Sequence, residues 1–173
     1  MSGVEGGARM GVSGQKIYPC VWYGGNALHA ARFYASVIPG SRILEIARYG
    51  KSGAKVSGMP VGSILTVTMS LGGSKVMLLN GKPVFRHSEA ISLLVECRGQ
   101  SAIDRVWKGL SAGGRKGVCG WLKDRYGVSW QVVPEGMDRL FLGNSVASER
   151  AMTALLKMRK LDIRKLKNAY RGK

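Results

Sequence analysis

Two segments of the chain show the hydrophobic period of an amphipathic helix. In each, apolar residues recur at positions i, i+3, i+4 and i+7, which places them along one side of a helix. They are Ala30, Phe33, Tyr34 and Val37 in the first segment and Ile103, Val106, Trp107 and Leu110 in the second. The two stripes are 73 residues apart, so the pattern indicates an internal repeat.

Side chains next to these stripes predict where the helices begin and end. Asn26 is placed to cap the first helix, and Ser101 with Asp104 resembles a capping box for the second. Gly113 and Gly114 predict the end of the second helix. His29 lies off the apolar stripe, so we expect it on the surface.

Short apolar and alternating runs around each helix predict β-strands. One strand precedes each helix, at residues 17–23 and 90–97. Strands follow at residues 42–49, 63–71 and 75–80 after the first helix, and at 117–123 and 128–133 after the second. Gly72-Gly73 predicts a tight hairpin turn. The repeated order of strand, helix and further strands predicts an α+β fold with an internal duplication.

The remaining segments complete the predicted organisation. Residues 1–15 form a leader of low information content, and residues 16–136 form the domain, with modules at about 16–82 and 87–134. The Gly-, Ser- and Lys-rich residues 51–60 predict a mobile loop. A basic helical tail at 145–173 is expected to contain a helix at 148–160 and a final helix at 163–170, capped by Asp162.

Composition excludes several classes of protein. A chain of 173 residues suits a domain with its own core, and no run reaches the roughly 18 apolar residues of a membrane span. Cys20, Cys97 and Cys119 show no CxxC spacing, which argues against a disulfide framework and a cysteine zinc site. A reducing cytoplasm is therefore the predicted location.

The charge is the unusual part of the composition. The formal net charge is +17, and residues 150–173 contribute +8 of it, with nine basic residues and one acidic residue. Such a charge favours non-specific contact with polyanions such as nucleic acids. No groove-reading motif accompanies it, so a solvated basic surface is the favoured interpretation and nucleic-acid contact is the alternative.

Longer blocks of the sequence resemble a known family. PCVWYGGNALHAARFYASVIPGSRI, FRHSEAIS, GGRKGVCGWLKDRYGVSWQVVP and LLKMRKLDI extend over most of residues 16–170 and resemble the PhnB-like branch of the vicinal oxygen chelate superfamily. That superfamily includes glyoxalase I and the bleomycin-resistance proteins. The resemblance implies two βαβββ modules that form a curved mixed sheet around a cleft, and a homodimer. With the C-terminal helices predicted from the sequence pattern, this gives the expected fold.

Members of this branch are often labelled 3-demethylubiquinone-9 3-methyltransferase. The sequence gives this activity no support, because no strand is followed by a glycine-rich turn of the GxGxxG kind. It also lacks the alternating βα run that builds a methyltransferase sheet.

The resemblance also implies positions for four metal ligands on the inner face of the sheet. A glyoxalase strand carries a glutamate four residues after its turn glycine, and here Gly127 is followed at that distance by Gln131. An amide is a weaker donor than a carboxylate. The resulting set of Cys20, Asn80, Glu89 and Gln131 matches a divalent-metal site poorly, so we expect no cofactor and keep a divalent metal as the alternative.

Residues expected at the cleft include candidates for ligand binding and for chemistry. We expect the ligand-binding residues to be Cys20, Trp22, Thr66, Thr68, Asn80, Trp121 and Gln131. The catalytic candidates are His87, Glu89 and Cys119, where His87 with Glu89 could transfer protons and Cys119 lies near basic residues that lower a thiol pKa.

Three functions follow as hypotheses. The first is a cytoplasmic homodimer that binds a small organic ligand in the cleft without a tightly bound metal. The second is a metal-dependent lyase, isomerase or dioxygenase-type enzyme, and the third is a basic nucleic-acid-associated protein. No membrane association is expected.

Overall fold

A computed structural model describes residues 15–143 and 145–173. The chain divides into a first unit that ends at Phe85 and a second unit that begins at Arg86 and ends at Lys173. The predicted leader falls, except for Gln15, outside the described residues. Within the described ranges, no helix has the length and apolar character that a membrane crossing requires.

The first unit contains one four-stranded mixed sheet and two helices. Its elements are β1 (Cys20–Tyr23), α1 (Ala27–Val37), β2 (Arg42–Arg48), α2 (Lys51–Ser57), β3 (Ile64–Leu71) and β4 (Ser74–Asn80). The strand order is β1-β4-β3-β2, with β1 parallel to β4 and the other pairs antiparallel. Gly72 and Gly73 both have positive φ and form the predicted two-residue hairpin between β3 and β4.

The second unit repeats this topology and adds a helical C-terminus. Its elements are β5 (Leu93–Cys97), α3 (Gln100–Ser111), β6 (Arg115–Lys116), β7 (Trp121–Lys123), β8 (Ser129–Pro134), a 3₁₀ helix (Met137–Leu140), α4 (Val146–Leu156) and α5 (Ile163–Arg171). The strand order β5-β8-β7-β6 is the first order shifted by four strands, and β5 is parallel to β8. The α+β fold with two βαβββ modules and C-terminal helices is confirmed.

In each unit the predicted apolar stripe covers one face of the sheet. Ala30 and Tyr34 of α1 are buried, as are Val67 and Leu78, which are paired on β3 and β4. In α3 the whole predicted stripe is buried, and Trp130 on β8 is only 1% exposed. His29 is exposed, as expected. Burial of these apolar groups is the main force that fixes each helix on its sheet.

Two local predictions were wrong. Residues 51–60 are not an irregular loop, because Lys51–Ser57 forms α2, which ends at Gly58 in the left-handed region. The capping box does not form either, since α3 begins at Gln100 and its N-cap is Gly99, without a side-chain hydrogen bond. Asp162 does cap α5, where its carboxylate accepts a hydrogen bond from the Lys165 amide.

The cap of α1 comes from a distant strand and not from the preceding residue. Asn26 makes no side-chain cap bond. Instead Asn80, at the end of β4, accepts a hydrogen bond from the Ala27 amide through Oδ1 at 2.9 Å. Its Nδ2 donates to the Ile64 carbonyl, and its own carbonyl accepts from the Tyr49 hydroxyl at 2.6 Å. Asn80 therefore joins α1, β3 and β4 in the first unit.

Because Asn80 and not Asn26 caps α1, substitutions of these two asparagines should differ in their effect on stability. We expect Asn80→Ala to lower the free energy of unfolding by about 2 kcal/mol, because it removes the acceptor of a buried amide and a donor to a carbonyl. Asn26→Ala is the matched control and should change it by less than about 0.5 kcal/mol. Urea unfolding followed by circular dichroism measures both. Equal losses would contradict the remote cap.

The C-terminal helices pack on the second module. Val133 of β8 forms a buried cluster with Leu155, Leu161 and Leu166. The backbone is also joined here, since the Cys119 and Gly120 amides donate to the carbonyls of Met158 and Arg159. The basic tail is thus an integral part of the second unit.

Candidate functional site

The first sheet presents four of the predicted ligand-binding residues on the face opposite α1. Strand register pairs Cys20 with Met77 and Trp22 with Leu79, and the same register continues to Thr68 and Thr66 on β3. Paired residues project from the same face of a sheet. Cys20 is exposed, Trp22 and Thr66 are half-buried, and Thr68 is buried.

Trp22 is held in a fixed orientation on this face. Its Nε1 donates to the Lys82 carbonyl at 2.9 Å, and its ring meets Phe85 edge-on, with centroids 5.0 Å apart at 87°. A Cβ added to Gly81 would lie 2.5 Å from Cη2 of the indole, so the absence of a side chain at Gly81 makes room for the ring. The indole is therefore a preformed, half-buried aromatic surface.

The other polar candidates of the first unit are less available. Desolvation raises the pKa of the Cys20 thiol above its ordinary value, which disfavours the reactive thiolate. Asn80 does not lie on this face, because it pairs with Tyr23 on the side that α1 covers and is 2% exposed. Its side chain is already bonded to the backbone, so the assignment of Asn80 to the ligand-binding set is corrected.

The second sheet presents a row of three side chains on the face opposite α3. Gln131 of β8 lies between Leu94 on β5 and Trp121 on β7, and the register pairs it directly with both. Leu94 is 55% exposed, and Gln131 and Trp121 are half-buried. We call these three residues the window.

Other parts of the second unit cover the sheet at both ends of the window. At one end the Ser129 hydroxyl donates to the Ser88 carbonyl, and Ser129 is 2% exposed. At the other end Val133 is covered by the C-terminal cluster. The middle of the strand therefore remains accessible, with Gln131 at its centre.

The amide of Gln131 is oriented by a neighbouring hydroxyl. Its Nε2 donates to Ser92 Oγ at 2.9 Å. This bond orients the amide, whose carbonyl oxygen and second N–H can take part in further hydrogen bonds. Sequence reasoning found Gln131 and Trp121, but it missed Ser92 and Leu94, because only the pairing of β5 with β8 brings residues so distant in sequence together.

A cluster of charges lies at the start of the second module. Glu89 Oε1 pairs with Lys123 Nζ at 2.8 Å and with Arg115 Nη2 at 3.3 Å. The hydrogen bond from Lys123 is the main cause that holds the pKa of Glu89 below its usual value. A carboxylate in this state is a weak base, so Glu89 is better suited to anchoring the segment than to accepting a proton.

The remaining catalytic candidates lie near the turn between β7 and β8 and against the C-terminal helices. Half-buried His87 lies near Gly127, on the turn between β7 and β8. Cys119 has a φ of 54° and donates its thiol hydrogen to the Leu155 carbonyl at 3.6 Å. It packs against the C-terminal cluster, so its thiol is occupied by a structural contact.

The four candidate metal ligands do not form a donor set. Cys20 and Asn80 project from opposite faces of the first sheet. Glu89 is engaged by two cations, which disfavour a third at the same oxygen. In the part of the chain that the structure describes, no three His, Cys, Asp or Glu side chains are grouped so that they could hold a metal ion. The residues present do not fit the metal site that the resemblance implies.

Comparisons with known proteins give the family. A family model described as 3-demethylubiquinone-9 3-methyltransferase matches residues 15–133. The chain is 31% identical to a PhnB protein from Bacillus cereus that is described provisionally by the same name. The similarity covers 69% of this chain and 99% of that chain, with a TM-score of 0.61.

A second solved structure resembles the chain in fold alone. Protein PA1353 from Pseudomonas aeruginosa is 19% identical, over 68% of this chain and 96% of that chain, with a TM-score of 0.55. The search of curated proteins returned no match. The family match and the Bacillus cereus relative together show that the chain belongs to the PhnB-like family described as 3-demethylubiquinone-9 3-methyltransferase.

Proposed function

We propose that this protein binds a small organic molecule at the window of the second sheet, without a tightly bound metal. The observation that carries the proposal is the accessible row of Leu94, Gln131 and Trp121 across three strands. Along β8, the positions before and after this row, Ser129 and Val133, are covered. Ligand sites combine apolar and aromatic walls with a few oriented polar groups, and the window has this composition.

The chemistry of the row suggests the kind of ligand. The Trp121 indole and the Leu94 side chain offer apolar surface to a planar body, while the fixed carbonyl oxygen of Gln131 accepts a hydrogen bond. A planar molecule with an N–H or O–H group satisfies both. Trp22 and Thr66, on the first sheet, are proposed as ligand-binding residues of that sheet alone, and a homodimer is the proposed assembly.

Metal-dependent lyase, isomerase or dioxygenase chemistry is the weaker candidate, because the donors do not fit a metal. Methyl transfer is not proposed, although the family description names it. Each sheet has one parallel strand pair, from β1 with β4 and from β5 with β8, and is otherwise antiparallel. This differs from the doubly wound parallel sheet that binds nucleotide-like cofactors at its glycine-rich turns.

A neutral fluorescent amine tests the proposed site. N-phenyl-1-naphthylamine has a planar naphthyl ring and carries one N–H group, and we expect saturable binding to the stripped protein. Trp121→Ala and Gln131→Ala should each weaken that binding about fivefold to tenfold, because each removes one partner of the probe. Val56→Ala, at an exposed position of α2, is the control and should leave the binding unchanged.

Two results would oppose the proposal. An affinity for the probe that is unchanged in both window variants would show that the probe binds elsewhere. Calorimetric titration with Ni²⁺, Zn²⁺, Mn²⁺ and Fe²⁺ is the second test. A single micromolar site per chain that is lost in Gln131→Ala would instead favour the metal-dependent enzyme.

A further inference from the structure

A groove of about 910 Å³ lies in the second unit, away from the window. It is bounded by α5, by the N-terminal end of α3 and by the C-terminal ends of β5 and β8. Its apolar floor includes Met137, Leu140, Ile163 and Leu166. The volume is that of a small-molecule site, and the groove shares no lining residue with the window.

One wall of the groove is a row of cations on α5. Arg164, Lys167 and Arg171 lie at positions i, i+3 and i+7, so they follow one side of the helix. All three are exposed, and within residues 15–143 and 145–173 none of them forms an ion pair. The row therefore faces the groove with three positive charges that no carboxylate of the described residues pairs with.

The other charged groups of the groove are already engaged. Arg98 pairs with Glu135 at 2.9 Å on the opposite wall. Asp162 accepts the Lys165 amide at 3.0 Å as the cap of α5. The Ile163 amide donates to Gln100 Oε1 at 2.9 Å, so the first amide of α5 is not free for a ligand. An anion in the groove would be held by the side chains of the row.

We propose that this groove binds a phosphorylated small molecule with an apolar or planar body, such as a nucleotide. Three cations along one wall match several phosphate charges, and arginine binds phosphate oxygens through two parallel N–H groups. The apolar floor receives the body of the molecule. The family match ends at residue 133, so the wall that α5 provides lies beyond the matched region.

Calorimetric titration with ATP at about 0.15 M salt tests this site. The wild-type chain should bind one ATP, and inorganic tripolyphosphate should bind more weakly because it leaves the apolar floor uncovered. The variant Arg164→Gln/Lys167→Gln/Arg171→Gln should bind ATP at least about tenfold more weakly. The control Lys157→Gln/Arg159→Gln/Lys165→Gln removes the same charge at exposed positions outside the groove lining and should stay within about twofold.

Three results would overturn the proposal. The affinity for ATP could fall equally in both triple variants, which would show only a general effect of net charge. The wild-type chain could fail to bind ATP in a saturable way. A single-stranded oligonucleotide could bind more tightly as its length increases, with equal losses in both variants, and the tail would then be a non-specific polyanion surface. Thermal unfolding of both variants checks that each is folded.

Discussion

The substitution Asp124→Ala is expected to lower the free energy of unfolding by about 3 kcal/mol. Asp124 is 3% exposed, although it lies in the short turn between β7 and β8. Its carboxylate accepts hydrogen bonds from Trp130 Nε1 at 2.8 Å and from the amides of Tyr126 and Val128 at 2.8 and 3.1 Å. Truncation to alanine would leave all three of these buried or partly buried donors without their acceptor.

The size of this effect follows from the charge and the burial. Hydrogen bonds to a charged group contribute more than neutral ones, and a buried donor that loses its acceptor costs about 1 to 3 kcal/mol. Trp130 is the largest fully buried side chain of the protein's described residues, and its indole would lose this anchor. We expect its fluorescence to change together with stability.

Urea unfolding with two companion variants measures the contribution. Asp124→Asn keeps an oxygen acceptor in the same position, so we expect roughly half of the loss. Asp138→Ala, at an exposed position in the 3₁₀ helix, should stay within about 0.5 kcal/mol of wild type. A loss at Asp124 no larger than at Asp138 would show that the buried carboxylate does not stabilise the turn.

The elements that could be predicted from sequence are those with a strong local pattern. The stripes of α1 and α3 and the alternation of β3 repeat over two or more turns or strand pairs, so the periodicity alone identifies them. The hairpin at Gly72-Gly73 was predictable because a two-residue turn requires positive φ. Helix α2 gave no such signal, because it is short, contains glycine and serine, and buries only Ala54.

Caps and site residues depended on contacts that are distant in sequence. The amide of Ala27 is capped by Asn80, which is 53 residues away, so no local motif reveals it. The face on which Asn80 lies depends on one step of register, because β1 pairs Trp22 with Leu79 and Tyr23 with Asn80. Alternation along a strand shows which of its residues share a face. Only the pairing with neighbouring strands shows which of the two faces the helix covers.

The turn around Asp124 shows the same limit for charged residues. In the sequence it is one of three charged residues in a row between two strands, a pattern typical of a solvated turn. Its burial results from the indole of Trp130, six residues later, which returns to it across the hairpin. A charge that bonds to tertiary neighbours cannot be told from a surface charge by composition.

We expect Gly81→Ala to lower the free energy of unfolding by about 2 to 3 kcal/mol and to displace Trp22 from the first sheet. The added Cβ would lie 2.5 Å from Cη2 and 2.9 Å from Cε2 of the indole. The ring is rigid, so it can avoid this contact only by moving as a whole. That movement would break the hydrogen bond from Nε1 to the Lys82 carbonyl and the edge contact with Phe85.

The cause is steric, and two further variants can show this. Gly50→Ala is the matched control, because Gly50 has a φ of −79° and its added Cβ would meet nothing within 4 Å, so stability should change by less than about 0.5 kcal/mol. In a Trp22→Leu background, Gly81→Ala should lose most of its cost, since the clashing ring is gone. If the loss of stability persists without the indole, the close packing of Trp22 on Gly81 is not its cause. Trp22 would then no longer support a preformed ligand contact in the first unit.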